Sequence, residues 1–281
     1  MNIGIVGLGL IGGSLGWDLR SLGHKIFGVS RTEQTCQTAI DMGVVDDAGV
    51  NLNLLAQAEV VFICTPIAAI APTVEQLIPH LSPTTILTDV GSVKQSVVEA
   101  VAPLWYNFVP GHPMAGKAES KLEAAQQNLF AGAPYAITPI ETTPPEAVKT
   151  VEEIARALGA RVYHCRPEVH DRAISWISHL PVMVSASALA ACMSEPDAAV
   201  LKLAQQLASS GFRDTSRVGG GNPELGVMMA KYNRSELLRA LHQYQLSLNQ
   251  LIAQIEREDW DALEQLLQHT QQARRKFLSP S

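Results

Sequence analysis

The motif Gly7-Leu8-Gly9-Leu10-Ile11-Gly12 sets the interpretation of the first half of this chain. It follows an apolar run at residues 2–6, which is typical of a buried strand, and it opens a stretch with helical periodicity. In such a unit the first glycine permits a tight turn, the second lets a pyrophosphate approach the backbone, and the third allows close helix–strand packing. The motif therefore predicts a dinucleotide site at the start of a helix, and a glycine-rich structural turn is the alternative. The residues assigned to this site are Gly7, Gly9, Leu10, Ile11 and Gly12.

Residues 1–165 alternate short β-rich runs with helical patterns around this motif. Strands are predicted at 2–6, 25–29, 60–64, 85–88, 108–109, 135–138 and 160–164. Helices predicted between them include 32–42, 92–101 and 144–158. Because strands that alternate with helices form βαβ units, we expect an α/β fold: a Rossmann-type domain with a mostly parallel sheet.

From residue 166 onward the strand patterns stop and long helical patterns replace them. Five helices are predicted, at 168–193, 198–209, 224–229, 235–257 and 260–277. The first is rich in Ser and Ala, which permits close helix packing. The apolar content suggests a bundle that shares its core with a partner chain, although an intramolecular core fits nearly as well. We expect a dinucleotide-binding domain at 1–165, an all-helical substrate and dimerisation domain at 166–281, and a homodimer formed through the latter.

Composition excludes several classes of protein. The 281 residues carry 27 Asp+Glu against 21 Lys+Arg, a formal net charge of −6, with no basic block, so no nucleic-acid partner is expected. No run approaches the roughly 18 apolar residues that span a bilayer, and the apolar N-terminus lacks the basic segment of a signal peptide. We therefore expect a cytoplasmic protein without a membrane partner. The four cysteines are widely spaced without a CxxC pair, which predicts reduced thiols and no metal site.

The residues that follow the second predicted strand indicate the type of cofactor. An NAD-preferring site usually has an Asp or Glu there, which accepts hydrogen bonds from the ribose 2′-hydroxyl. This chain has Ser30, Arg31 and Thr32 instead. Arg31 can bind a 2′-phosphate through a charge-assisted fork, so NADP is predicted; helix capping by Ser30 or Thr32 is compatible with that role. Three further residues are assigned to the cofactor site because they end the next main strand: Cys64, Thr65 and Pro66.

Three polar motifs remain, and two of them follow predicted strands: DVGSVK at 89–94, GHPMAG at 111–116 and FRDTSR at 212–217. Open α/β sheets carry their chemistry at the carboxyl ends of strands. Together with GLGLIGGS and SHLP, these motifs occur in the order found in the prephenate/arogenate dehydrogenase family of tyrosine biosynthesis. The chain resembles that family over nearly its whole length, and in particular its NADP-dependent arogenate dehydrogenases of cyanobacterial or plant type.

The resemblance implies oxidative decarboxylation of a small cyclohexadienyl substrate. Hydride leaves ring C4 for NAD(P)+, the C4 hydroxyl loses its proton, and the C1 carboxylate leaves as CO2. His112 is expected to accept a hydrogen bond from the hydroxyl, and Ser92 to bond the same hydroxyl or the imidazole. Arg217 matches the arginine that the family pattern places on the ring carboxylate, where a planar guanidinium binds in two-point fashion.

Further candidates for the substrate site are Arg213, His179 and Lys94. Lys94 is expected on the same helix as Ser92, where it can neutralise nearby anionic charge. Each candidate also has a structural interpretation: a turn or core histidine for His112, a core histidine for His179, ion pairs for the two arginines, and a solvated helix residue for Lys94. The other histidines carry no motif and are assigned structural roles: His24, His80, His164, His170, His242 and His269.

The residue after SHLP bears on the choice between arogenate and prephenate as substrate. Members that use prephenate often follow SHLP with a second histidine, whereas this chain has Val182. The missing donor weakens the case for a keto-acid side chain, so arogenate is preferred and a prephenate dehydrogenase is the alternative. Two other hypotheses remain: a dehydrogenase of the β-hydroxyacid type, which usually relies on a lysine in its helical domain, and a non-catalytic NADP-binding sensor.

Overall fold

The computed structural model describes residues 1–117, 119 and 121–278. In this part of the chain the main sheet has six parallel strands in the order β3-β2-β1-β4-β5-β6. They are β1 (Asn2–Val6), β2 (Lys25–Val29), β3 (Asp47–Gly49), β4 (Val60–Ile63), β5 (Ile86–Asp89) and β6 (Phe108–Val109). The strand order reverses between β1 and β4, and at such a switch point a crevice opens at the carboxyl ends of the strands. This confirms the predicted Rossmann-type sheet.

Five α-helices accompany this sheet: α1 (Leu10–Ser21), α2 (Glu33–Asp41), α3 (Ile67–Leu77), α4 (Gln95–Val101) and α5 (Pro145–Ala157). One core cluster joins Ile5 and Phe62 of the sheet to Leu15 of α1. A second cluster joins Ile63 to Val97 of α4 and to residues of α3. Because the central strands are buried on both faces, they are apolar throughout rather than alternating.

A second, three-stranded sheet contains β7 (Gly111–Pro113), β8 (Pro134–Ile137) and β9 (Arg161–His164). β8 pairs antiparallel with β7 and parallel with β9. The sequence does not predict β7, and it does not predict that the runs at 135–138 and 160–164 leave the main sheet. β7 is important for function because His112 is its central residue and pairs with Ala136.

The remainder of the described chain is helical, as predicted. It contains α6 (Pro167–Ile174), a π-helical turn (Ser175–His179), α7 (Leu180–Met193), α8 (Ala198–Leu207), α9 (Ser210–Ser216), α10 (Pro223–Tyr232), α11 (Arg234–Glu256) and α12 (Trp260–Leu278). The predicted helix 168–193 is thus interrupted by the π-helical turn. The predicted helix 198–209 ends early because Ala208 and Ser209 are not helical, and α9 then begins separately.

The chain divides into two compact units, Met1–Arg234 and Ser235–Ser281. The first contains both sheets and α1 to α10. The second contains nearly all of α11 and the whole of α12. No residue of α12 is buried. The stretch Pro167–Met193 in the first unit has the length and apolar composition of a membrane span, with a mean hydropathy of 1.4. Four of its polar residues nevertheless make hydrogen bonds inside that unit, namely His170, Asp171, His179 and Ser185.

Candidate active site

His112 lies just beyond the carboxyl end of β6 and is almost completely buried, with 9% of its surface exposed. Its Nδ1 is 2.9 Å from Nε2 of His170, and its own Nε2 makes no hydrogen bond to any residue in the described part of the chain. The pKa of His112 lies well below the ordinary value of 6.5, chiefly because burial disfavours the charged ring and secondarily because His170, Lys94 and His179 are close. The imidazole is therefore neutral near pH 7 and retains acceptor capacity.

His170 and Asp171 at the middle of α6 continue this network. Nδ1 of His170 is 2.7 Å from Oδ1 of Asp171, and both side chains are 3% exposed. The Asp171 carboxylate also accepts from the backbone N–H groups of Lys94 (2.7 Å) and Gln95 (2.9 Å). The sequence alone predicts a structural role for His170, but the structure places it against His112. The adjacent His-Asp pair was the only signal in the sequence for this contact.

Lys94 and Asp89 form a completely buried ion pair beside His112. Nζ of Lys94 also donates to the carbonyl oxygen of Gly111 at 2.7 Å, and Oδ1 of Asp89 accepts from the Gly111 N–H at 3.2 Å. The pair therefore fixes the backbone immediately before His112. Burial lowers the pKa of Lys94, and the nearby Asp89 carboxylate opposes that shift.

Two sequence-based interpretations of Lys94 are corrected by the structure. Lys94 is not a solvated helix residue, because its side chain is wholly buried. It also does not share a helix with Ser92, because α4 begins only at Gln95, where the Asp171 carboxylate caps the helix. Ser92 lies in the loop between β5 and α4, is half-buried, and makes no side-chain hydrogen bond within the described residues.

His179 ends the π-helical turn and is completely buried. Its Nδ1 lies 3.2 Å from Nδ2 of Asn233, which also donates to the backbone carbonyl of Asp171 at 2.8 Å. Nε2 of His179 is buried without a hydrogen-bond partner in the described chain. Burial lowers the pKa of His179 to about 4, although Asp171 opposes the shift. π-Helical turns recur at functional sites, and this one connects His179 through Asn233 to the network of His112.

Arg213 and Arg217 lie on and just after α9, and both are exposed. Neither bonds to the His112 network in the described part of the first unit; Arg213 Nε lies 3.9 Å from Asp214 Oδ1 on the surface. The segment is nevertheless anchored to α7, since Ser185 Oγ donates to the Thr215 carbonyl and accepts from the Gly219 N–H, both at 2.8 Å. A Cβ at Gly219 would lie 2.5 Å from the backbone nitrogen of Ala186, so the turn after α9 packs directly on the backbone of the Ser/Ala-rich helix α7.

The glycine motif has the geometry of a phosphate loop. Gly7 has φ +98°, and a Cβ there would lie 2.6 Å from the carbonyl oxygen of Cys64. A Cβ on Gly12 would lie 2.1 Å from the carbonyl oxygen of Gly7, so α1 packs directly on the turn. A Cβ on Gly9 would meet nothing within 4 Å, and no side chain caps the start of α1. The space and the free N–H groups at Gly9 fit a bound pyrophosphate.

The other residues assigned to the cofactor surround this loop. Leu10 and Ile11 form the half-buried first turn of α1, and Thr65 keeps a buried hydroxyl oxygen without a partner in the described chain. Thr32 caps α2, because its Oγ1 accepts from the Thr35 N–H at 3.2 Å. Arg31 is exposed and forms no ion pair with any described residue. The donors available here fit a dinucleotide and leave Arg31 available for an anionic group. The four cysteines are free thiols.

Family models cover nearly the whole chain. Residues 15–164 match the nucleotide-binding domain of prephenate dehydrogenase, and residues 166–269 match its dimerization domain.

Individual relatives agree with these models. The crystal structure of Synechocystis arogenate dehydrogenase is 54% identical, with a TM-score of 0.90, covering 99% of this chain and 100% of that one. A prephenate dehydrogenase from A. aeolicus, solved with hydroxyphenyl propionate and NAD+, is 27% identical, with a TM-score of 0.93 and coverage of 99% and 98%. Prephenate dehydrogenase of Bacillus subtilis is 31% identical over 266 residues, which is 92% of this chain and 71% of the relative. The resemblance seen in the motifs is therefore confirmed, and the chain belongs to the prephenate dehydrogenase family of oxidoreductases.

Proposed function

We propose that this protein converts L-arogenate to L-tyrosine, CO2 and NADPH with NADP+ as oxidant. The observation that carries the proposal is His112, a buried and neutral imidazole whose Nε2 has no partner in the described chain. A neutral imidazole in a desolvated site is suited to accept the proton of a hydroxyl group that is being oxidised. The 54% identity to a protein named arogenate dehydrogenase supports the choice of substrate.

In the proposed reaction, the nicotinamide of NADP+, held by the glycine motif and the residues at the end of β2, would supply the acceptor for the hydride of ring C4. His112 Nε2 takes the proton of the C4 hydroxyl, so that its oxygen becomes a carbonyl, and Ser92 holds that oxygen. The bond between C1 and the carboxylate then breaks, its electron pair enters the ring, and the oxygen regains the proton as a phenol. Arg217 binds the ring carboxylate before it leaves and thereby orients the ring. Arg213 would extend the substrate side of the site. Lys94 and His179 are wholly buried, so they would act on the substrate indirectly, Lys94 through the backbone at Gly111 and His179 through Asn233.

The proposal that NADP is preferred over NAD rests on the residues at the end of β2. Gly7, Gly9, Leu10, Ile11 and Gly12 would hold the pyrophosphate, and Cys64, Thr65 and Pro66 the nicotinamide ribose. Arg31 and the hydroxyl of Ser30 would bind the 2′-phosphate. The A. aeolicus relative was solved with NAD+, so the choice of cofactor has to be tested on this chain. We expect Arg31→Ala to weaken NADP+ binding at least tenfold and NAD+ binding little; equal losses would contradict the assignment.

The substrate is tested by the initial rate of nicotinamide reduction with arogenate and with prephenate, each at saturating NADP+. We expect a clear preference for arogenate. The variant Val182→His restores the histidine that often follows SHLP in prephenate-using members, and it should raise kcat/KM for prephenate. A wild-type preference for prephenate would keep the mechanism and reject the substrate. Turnover of neither substrate would favour another dehydrogenase or an NADP-binding sensor.

We also propose a cytoplasmic homodimer whose partner contacts come from a helical domain at 166–281. The match of residues 166–269 to a dimerization domain supports this. So does the surface of α8, in which no residue is buried. Val200, Leu203 and Leu207 of that helix are 50%, 52% and 70% exposed. Apolar surface of this kind is typical of a protein interface.

A further inference from the structure

His112, His170 and Asp171 form one linear, buried chain of hydrogen bonds. Nδ1 of His112 lies 2.9 Å from Nε2 of His170, and Nδ1 of His170 lies 2.7 Å from Oδ1 of Asp171. All three side chains are at most 9% exposed. The two imidazoles meet edge to face, with ring centroids 5.1 Å apart and an angle of 76° between the planes.

The Asp171 carboxylate, which accepts from two backbone N–H groups, sets the direction of the hydrogen bond from His170. A carboxylate only accepts, so Nδ1 of His170 carries a hydrogen and donates to it. A neutral His170 then has a bare Nε2, which accepts from Nδ1–H of His112. A neutral His112 that carries its hydrogen on Nδ1 has a lone pair on Nε2. That is the nitrogen with no partner in the described chain.

We propose that His170 and Asp171 are positioning residues that hold His112 in the Nδ1–H tautomer and stabilise the positive charge it gains when Nε2 takes a proton. The inference rests on the proposed function, in which His112 accepts the hydroxyl proton. The logic is that of a catalytic histidine oriented by a buried carboxylate, here with a second imidazole between the two.

The carboxylate is itself held in place from several elements. It accepts from the backbone N–H groups of Lys94 and Gln95 at the start of α4, in addition to His170. Asn233 at the end of α10 donates to the backbone carbonyl of the same residue, at 2.8 Å. Asp171 therefore cannot rotate away without leaving buried donors unpaired, which is costly.

The negative charge of Asp171 reduces the cost of protonating His112. Burial and the nearby Lys94, His170 and His179 all oppose a positive charge on His112. A carboxylate linked to His112 through one neutral imidazole lowers that cost, because the chain of hydrogen bonds becomes polarised as His112 is protonated.

The first test is the tautomer of His112, measured by 15N NMR on histidine-labelled protein. The two ring nitrogens of a neutral imidazole have well separated shifts, and the His112→Asn spectrum identifies the His112 signals. We expect the hydrogen of His112 on Nδ1 in the wild type and a loss of that preference in His170→Leu. A hydrogen on Nε2 in the wild type would overturn the inference. Because the spectrum requires no turnover, this result is independent of whether arogenate is the substrate.

The second test compares two variants of His170 in the rate assay. His170→Leu removes the acceptor, whereas His170→Gln keeps a polar group at the position of Nε2. We expect His170→Leu to lower kcat at least tenfold with little change in KM, and His170→Gln to recover most of the loss. Equal activity of the two variants would reduce His170 to a packing residue.

Folding is checked in each variant by thermal denaturation and NADP+ binding. If His170→Leu fails to fold, the comparison of His170→Gln with wild type and the wild-type NMR spectrum still decide the inference. A wild type that shows the Nδ1–H tautomer but turns over neither substrate would reject the proposed function and leave the positioning assignment intact.

Discussion

Among single residues, Lys94 has the largest structural effect on the site. Its ammonium group bonds Asp89 and the carbonyl oxygen of Gly111 without any access to solvent. Removing one member of a buried ion pair leaves the other charge uncompensated, which typically costs about 3 to 5 kcal/mol. The position of the backbone at His112 therefore depends on this pair.

We predict that Lys94→Met lowers the free energy of unfolding by about 3 to 5 kcal/mol, measured by urea denaturation. The matched control Lys202→Met alters an exposed lysine and should change it by less than about 0.5 kcal/mol. The double variant Lys94→Met with Asp89→Asn should recover part of the loss, because it removes the unpaired carboxylate. Wild-type stability in Lys94→Met would show that the pair has no structural role.

A second prediction at this scale concerns His179 and pH. Burial lowers its pKa to about 4 from the ordinary 6.5. Between these values the unfolded chain binds a proton that the folded chain does not, so stability rises with pH across this window and is lost as the pH falls from 6.5 toward 4. His112 has a shift in the same direction.

The thermal midpoint should accordingly fall as the pH is lowered from 6.5 to 4, and His179→Gln should reduce the slope. His269→Gln, at an exposed position on α12, is the matched control and should leave the slope as in the wild type. A flat profile in the wild type would indicate that His179 is protonated without cost in the folded protein.

The residues of the site differ in how far they can be predicted. His112 and Ser92 stand in motifs next to predicted strands, and the resemblance of those motifs to the family is what selects them. His170 and Asn233 join the site through contacts that span 58 and 62 residues of sequence. The neighbouring Asp171 is the one local signal for His170, and nothing local distinguishes Asn233. For the same reason, the burial of Lys94 was not predictable from its neighbours.

At the level of secondary structure, the turn between β1 and α1 contains one glycine that the fold requires and another that the proposed cofactor requires. A side chain at Gly7 would collide with the backbone of Cys64 and would have to adopt φ +98°. A side chain at Gly9 would point into open space. The two glycines thus have different roles: Gly7 is required by the fold, and Gly9 by the proposed cofactor.

We predict that Gly9→Ala keeps the thermal midpoint within a few degrees but weakens NADP+ binding at least tenfold, measured by calorimetric titration. Gly7→Ala should lower the midpoint markedly, because the alanine would have to adopt a strained φ and would also collide with the backbone. Unchanged NADP+ binding by Gly9→Ala would remove Gly9 from the cofactor site.

Sequence patterns predict the bounds of some strands and helices but not of others. β1, β2 and β6 have the predicted bounds because their apolar runs are central and buried on both faces, or flanked by clear turns. β3 (Asp47–Gly49) and β7 (Gly111–Pro113) escaped prediction, since each has three residues without an apolar run and forms only by pairing with a neighbouring strand. The sequence does not predict the break between α8 and α9 either, because Ala208 and Ser209 include no Gly or Pro.

For the entire chain, the prediction concerns assembly. Light scattering should give twice the chain mass of 30.3 kDa. Leu203→Glu, which puts a charge on the exposed apolar side of α8, should shift the mass toward that of one chain. Its neighbour Lys202→Glu changes charge without removing apolar surface and should remain dimeric. A wild type of single-chain mass would contradict the proposed homodimer.

The organisation of the chain into a Rossmann-type part and a helical part was predictable, because strand patterns end abruptly near residue 165. The extent of each compact unit was not, since the structure divides at Arg234 inside a continuous helical region. Helix periodicity marks an apolar face without specifying what packs on it, so the sequence leaves open which helices join the first unit.

The proposed function is tested most directly by product stoichiometry. Arogenate labelled with 13C at the ring carboxylate is incubated with NADP+, and NADPH, labelled CO2 and tyrosine are quantified together. We predict equal amounts of all three, and a rate reduced about 100-fold or more in His112→Asn with KM little changed. Formation of NADPH without CO2, or a wild-type rate in His112→Asn, would contradict oxidative decarboxylation at His112.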